Sequence, residues 1–240
     1  MRNYFIFNNI DSRDYGAYVY GANVFDAPVR EFEYIQVPGR NGDLLGLERR
    51  IGNMDIAYPA IIIAGNNRTA LENLKVLRAK LIAVAGYARL TDSYNTDEFR
   101  LAAVNEQFEV TTTDDLDMVK VVIKFRSKPQ RYLISGETTT TITANSSSIS
   151  NPTDFPSQPK ITVTGYGAFY IGSQKITVAN VYSSVVIDSE LGDCYSGTVN
   201  ANNQVTFTDN DFPVLNAGTN NITKPSTITK LEIVPRWWTV

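Results

Sequence analysis

The run from Asp11 to Leu45 constrains the fold of this chain more than any other, because it joins a strand pattern to a turn. The strand pattern, REFEYIQV, is rich in the aromatic and β-branched residues that favour strands. Pro38 then removes a backbone donor and ends the strand. Asn41-Gly42 tolerates two consecutive positive φ angles. We therefore expect an antiparallel hairpin with a tight turn at Asn41-Gly42, a feature that fits many β-proteins.

A set of motifs in a consistent order along the chain is more specific than the hairpin alone. They are DS-DYG (11–16), VPGR-G (37–42), GYARLTDSYNTDEFRLA (86–102), FRSKPQRYLISGE (125–137), NPTDFPSQPKITVTG (151–165) and EIVPRWWTV at the end. In this order they resemble the distal tail protein family of long-tailed, non-contractile bacteriophages, the tail-tip or baseplate hub of siphophages and prophages. Each motif alone is weak, but the resemblance covers nearly the whole chain.

This resemblance implies a structural virion protein rather than an enzyme. It implies a hexameric ring at the distal end of the phage tail that joins the tail tube to the tip and its adsorption apparatus. The implied partners are further copies of the chain, the tail tube protein, the tail-associated tip protein and the receptor-binding protein. DNA is expected to pass through the ring lumen without specific binding. The implied location is the tail tip of the virion, after assembly in the host cytoplasm.

The residue pattern predicts a mainly β fold in two domains. Thr, Ser and Asn become more frequent after residue 137, and the segment from Thr138 to Pro159 is typical of an extended linker. We therefore place a boundary at about residue 145. The resemblance implies that residues 1–145 form the ring and that residues 146–240 form a galectin-like β-sandwich. Short strands with frequent turn signals support an all-β second domain.

The first domain is expected to combine a β-sandwich with one helix. The segment TALENLKVLRAKLIAVAGY begins with Thr69 and Glu72 at capping-box spacing. Leucines then recur at the helical period and mark a buried face. Gly86 is the expected residue just after the helix.

The residue types exclude several kinds of chemistry. The chain has no His, which removes Ser-His-Asp and Cys-His catalysis and His-containing zinc sites. Its single Cys194 cannot form an internal disulfide and indicates a reducing compartment. The net charge of −3 argues against a nucleic-acid scaffold, and no apolar run is long enough to insert into a membrane. We expect no cofactor and no metal.

Two acidic groups and a pair of tryptophans are the remaining candidates for a site. Asp188, Glu190 and Asp193 fit a turn best, although paired carboxylates could also serve a hydrolase or hold a cation weakly. We interpret the segment 209–211 as a solvated turn, with a calcium loop as the alternative. Trp237 and Trp238 fit packing, or anchors for a partner or a sugar.

The residues Pro38, Gly39, Arg40 and Gly42 are the candidates for the turn and for assembly. We expect Arg40 to contact a carbonyl or carboxylate near a subunit interface. The alternative function is a carbohydrate-binding module of the host-adsorption device, which a galectin-like fold would suit. A carboxylate hydrolase is a third and weaker alternative.

Overall fold

The computed structural model describes residues 2–21, 25–46, 50–104, 107–112 and 117–240. The fold is mainly β, as the sequence predicts. The chain divides into two compact units, Met1–Arg131 with Val240 and Tyr132–Thr239. The division therefore precedes the expected boundary at residue 145. Within the described ranges, no helix is both long and apolar enough to cross a membrane.

The first unit is built mainly from one sheet and one helix. Its strands are β1 (Phe5–Phe7), β2 (Ile10–Asp11), β3 (Ala17–Val19), β4 (Glu33–Ile35), β5 (Leu44–Gly46), β6 (Met54–Ile63), β7 (Ala88–Asp92), β8 (Glu98–Ala103), β9 (Glu109–Thr112) and β10 (Met118–Leu133). The strand order is β2-β1-β7-β8-β10-β6-β3, and β9 also pairs with β10. A bridge between Asn3 and Val19 links the start of β1 to β3, so the sheet curls back on itself. The sequence predicts a sandwich here, and the structure forms one curled sheet together with the separate pair β4 and β5.

The core of this unit lies between the sheet and helix α1 (Ala70–Ile82). Alternate residues of β6 point inward, among them Ile56, Tyr58 and Ile62. The predicted capping box is confirmed, because the Thr69 side chain accepts from the Glu72 backbone while the Glu72 carboxylate accepts from the Thr69 backbone. The leucines of α1 pack inward as the helical period predicts. The predicted helix end is wrong, because the helix is capped at Ala83 and Gly86 lies in the following turn.

The second unit is a sandwich of two sheets. Its strands are β11 (Thr140–Ile142), β12 (Ser146–Asn151), β13 (Lys160–Gly165), β14 (Gly167–Ile171), β15 (Gln174–Val178), β16 (Ser184–Asp188), β17 (Asp193–Ser196), β18 (Val199–Asn200), β19 (Val205–Phe207), β20 (Gly218–Thr223), β21 (Ile228–Val234) and β22 (Trp238–Thr239). One sheet has the order β11-β21-β13-β16-β17-β18 and the other β12-β20-β14-β15-β19, and β22 lies in neither of them. Apolar residues of both sheets share one buried core, which confirms the predicted all-β unit.

The segment predicted as a linker is part of this sandwich. Strand β11 pairs with β21 in one sheet, and β12 pairs with β20 in the other. Ile142 and Ile149 are buried, while most of the Ser and Thr residues around them face outward. A Ser/Thr-rich composition is shared by linkers and by the polar face of strands, so composition alone could not separate the two.

Candidate functional site

A separate pair of strands and the turn between them carry most of the residues that the sequence marks for assembly. Strands β4 and β5 pair at Tyr34 and Leu45 and form a small sheet of their own. Closer to the core, the Gly52 amide donates to the Val29 carbonyl at 2.9 Å. We call the described residues 29–46 and 50–52 the hairpin arm.

The hairpin arm exposes large apolar side chains to solvent. They are Val29, Phe32, Tyr34, Ile35, Leu44 and Leu45. Tyr34 is 66% exposed and Leu45, its neighbour across the strands, is 49% exposed. A group of exposed apolar side chains on one element is typical of a protein interaction surface. The two short strands also leave backbone groups at their outer edges that another chain can pair with.

The turn at the tip of the hairpin arm differs from the predicted one. The Arg40 amide donates to the Val37 carbonyl at 3.2 Å, and Gly39 has a φ of +82°. With Pro38 at the second position, this is the arrangement of a type II turn. Asn41 is not among the described residues with positive φ. The prediction of a tight Asn41-Gly42 turn is therefore wrong, because Pro38-Gly39 makes the first reversal and Gly42 serves a second bend.

The tip requires glycine for its backbone conformation rather than for space. Gly42 has a φ of +80°, and a Cβ atom on either Gly39 or Gly42 would meet nothing within 4 Å. Arg40 is exposed between them. Among the described residues, none forms a hydrogen bond or ion pair with its guanidinium group. The expected contact of Arg40 with a neighbouring subunit stays a prediction.

Asp188, the first of the three acidic residues predicted in the second unit, is buried and forms an ion pair with Arg236. Asp188 is 2% exposed, and both its oxygens accept from Arg236, at 2.6 and 2.9 Å. Burial raises the pKa of Asp188, but the hydrogen bonds and charge of Arg236 hold it below its ordinary value of 3.8. The Leu191 amide also donates to this carboxylate at 3.3 Å, so Asp188 closes a turn as well.

The other two carboxylates of this group have structural partners too. The Tyr132 hydroxyl donates to Glu190 at 3.3 Å, and burial raises the pKa of Tyr132 well above its ordinary value. Asp193 accepts from the side chain of Asn202 at 2.8 Å. The sequence does not reveal Arg236, because it lies 48 positions from Asp188 along the chain. In the structure Arg236 has a positive φ of +56°.

Both tryptophans pack within the second unit. Trp237 is 5% exposed and belongs to the core between the two sheets. Trp238 is half-buried and stacks on Phe155 with ring centroids 4.5 Å apart. Its indole N–H donates to the Pro156 carbonyl at 3.0 Å. Neither ring is presented as an open platform.

The remaining candidates show no assembled metal or nucleophile site. In the described part of the chain, no group of three or more acidic or Cys residues is placed to hold a metal ion. Asp209, Asn210 and Asp211 lie in an exposed turn after β19. Cys194 is 1% exposed, and burial raises the pKa of its thiol to about 12. Because the thiolate is the reactive form of Cys, a thiol with a raised pKa that is also buried is unreactive.

Comparison with solved structures identifies one fold along the full length. The Dit protein of phage SPP1, described as a paradigm of the hub adsorption apparatus in phages that infect Gram-positive hosts, has a TM-score of 0.76 and 15% identity, with all of both chains covered. A chain of the phage P2 baseplate in its activated conformation has a TM-score of 0.50 and 11% identity, covering 95% of this chain and all of that one. No protein-family model and no curated protein matches the sequence. The predicted resemblance to distal tail and baseplate proteins is thus confirmed in the fold.

Proposed function

We propose that this chain is a structural hub of a phage tail tip. Its first unit forms a hexameric ring at the distal end of the tail and joins the tail tube to the tip and adsorption apparatus. The observation that carries the proposal is the match of the whole chain to the whole SPP1 Dit hub protein. The same fold can serve unrelated functions, so the sequence motifs found independently are its second support.

The hairpin arm supplies the kind of surface that ring formation needs. A closed ring uses heterologous contacts, in which one patch of each subunit meets a different patch of the next. Stable contacts of this kind bury about 1,600 Å² in total. The exposed Tyr34 and Leu45 supply apolar area, and Arg40, whose charge has no partner within the described part of the chain, supplies a charge at the tip. We propose that this arm lies against the neighbouring subunit.

The other proposed contacts follow from the place of the ring in the virion. One face meets the tail tube protein, the opposite face meets the tail-associated tip protein, and the periphery carries the receptor-binding protein. DNA passes through the lumen without specific recognition. Assembly takes place in the host cytoplasm before release. The role is non-enzymatic, which the structural partners of Asp188, Glu190 and Asp193 support.

Size-exclusion chromatography with light scattering tests the ring. The intact chain of 26.7 kDa is expected to give a concentration-dependent species of about 160 kDa, the mass of a hexamer. Tyr34→Ser with Leu45→Ser should weaken this species because it removes exposed apolar area, and Arg40→Ala should weaken it without unfolding the chain. Leu191→Ser is the matched control, since Leu191 is 71% exposed in the second unit.

Two results would contradict the proposal. A chain that stays monomeric at every concentration up to its solubility limit, in the presence of the tube protein as well, is not a ring-forming hub. A hexamer that is unchanged in the Tyr34/Leu45 variant but lost in the Leu191 variant would move the interface away from the hairpin arm.

A further inference from the structure

The second unit contains an open cavity whose lining residues are not among those assigned to ring formation. It has a volume of about 550 Å³ and lies between strands β15 and β19 and the loop 208–216. This volume is within the range of about 300 to 1,000 Å³ that is usual for small-molecule sites. Phe207 and Phe212 form an aromatic part of its wall, with ring centroids 4.8 Å apart. Both rings are half-buried, so part of each remains accessible.

Polar groups converge on the same cavity. Gln158, Lys175, Asp209 and Asp211 line it and are exposed. Within the described ranges, their side chains make no hydrogen bond or ion pair with another residue. The cavity therefore offers two carboxylates, one ammonium group and one amide whose hydrogen-bonding capacity is unused.

The wall behind these groups is held in place by Gln174. Its amide oxygen accepts from the Val214 backbone at 2.8 Å, and its amide nitrogen donates to the Val214 carbonyl at 2.8 Å. These two bonds tie the loop 208–216 to strand β15. A braced wall of this kind limits the ordering that a ligand would otherwise have to impose.

A buried serine at the cavity gives an independent sign of a missing partner. Ser189 lines the cavity and is only 5% exposed. Its hydroxyl has no hydrogen-bond partner among the described residues. A buried polar atom without a partner is unfavourable, because the hydrogen bonds it made with water in the unfolded chain are not replaced. A polar ligand that reaches this hydroxyl would supply the missing hydrogen bond.

We propose that this cavity binds one pyranose unit of a polysaccharide. An aromatic ring packs against the apolar C–H face of a sugar, and carboxylates accept hydrogen bonds from its hydroxyl groups. The two carboxylates disfavour phosphate-bearing ligands by like-charge repulsion. The mixture of rings and hydrogen-bonding groups also differs from a pocket for a purely apolar ligand. The proposal goes beyond the hub function and does not depend on ring formation.

Ligand-observed NMR with the intact protein tests this site directly. The probes are methyl α-D-glucopyranoside, methyl β-D-galactopyranoside and N-acetylglucosamine at millimolar concentrations. We expect saturation transfer to at least one of them. Asp209→Asn with Asp211→Asn should weaken that binding about tenfold, because carboxylates are stronger acceptors than amides. Phe212→Leu should weaken it through loss of the ring face.

The controls separate this site from the fold and from the ring. Asp154→Asn changes another exposed carboxylate of the second unit outside the cavity and should leave binding unchanged. Absence of transfer to all three sugars, or equal binding by the Asp209/Asp211 variant, would overturn the proposal. So would preferential binding of spermidine, which would make the carboxylates a site for cations. The ring assay is unaffected by each of these outcomes, so the two proposals can fail separately.

Discussion

At the residue scale, the pair of Asp188 and Arg236 shows how a surface-like motif becomes part of a core. The segment IDSELGDCY predicts a turn, and in the structure its first carboxylate ends strand β16 and is almost fully buried. Burying a charge is unfavourable unless the charge is paired and hydrogen-bonded. The two short bonds from Arg236 satisfy that requirement and join the end of β16 to the chain after β21.

We expect Arg236→Met to destabilise the second unit by about 3 to 5 kcal/mol, because it leaves a buried carboxylate without its partner. Chemical denaturation of the intact protein, followed by a probe in the second unit, measures this change. Lys230→Met is the control, since Lys230 pairs with Glu232 at 3.0 Å on the surface. Surface pairs contribute less than about 1 kcal/mol. Equal losses in both variants would contradict the assigned role of Arg236.

The same pair predicts how stability changes in acid. The folded-state pKa of Asp188 lies below its ordinary value of 3.8. Its contribution is therefore complete above the unfolded-state pKa and is lost as the pH falls through the folded-state pKa. We expect the melting temperature of Asp188→Asn to fall less than that of the wild type between about pH 5 and about pH 3. Asp154→Asn should keep the wild-type slope, and parallel slopes for all three proteins would refute the linkage.

At the element scale, the hairpin arm is a small sheet whose order depends on its turns. Strands β4 and β5 are short and expose most of their side chains. Isolated two-stranded hairpins are marginally stable in water. The arm is therefore held mainly by its turn geometry and its base, and an interface would add the packing that it lacks.

Gly42→Val should loosen the hairpin arm without unfolding the first unit. The φ of +80° is strained for a β-branched residue and costs about 1 to 3 kcal/mol. Hydrogen exchange followed by mass spectrometry should show faster exchange for peptides that cover β4 and β5, and unchanged exchange for β6. Asn41→Ala is the matched control because the φ of Asn41 is not positive. Unchanged exchange in the valine variant would show that the turn does not hold the arm.

At the scale of the whole molecule, the two units have separate cores, which allows their roles to be tested apart. We expect residues 1–131 to retain assembly and residues 132–240 to stay monomeric. The physical reason is that the hairpin arm lies entirely in the first unit. Light scattering of both fragments, after circular dichroism has shown that each is folded, measures this. Assembly by the second fragment alone would reverse the proposed roles.

The elements that depend on near neighbours could be predicted from the sequence. The capping box joins Thr69 to Glu72 three positions away, and the leucines of α1 repeat within one helix. Short alternating strands also indicated the all-β second unit. The turn of the hairpin arm also depends on near neighbours, but it was predicted at the wrong pair. Both Pro38-Gly39 and Asn41-Gly42 suit a chain reversal, and the structure makes its first reversal at Pro38-Gly39.

The amino-acid sequence by itself determined the mainly β fold, helix α1 and the absence of His chemistry, because these follow from residue type and local period. The tertiary structure alone decided which distant groups meet. It closed the first sheet between Asn3 and Val19, and it buried Asp188 against Arg236. It also buried Ile142 and Ile149 in the core of the sandwich and left Tyr34 exposed. The physical reason is that burial depends on what the rest of the chain places opposite a residue, and no local pattern carries that information.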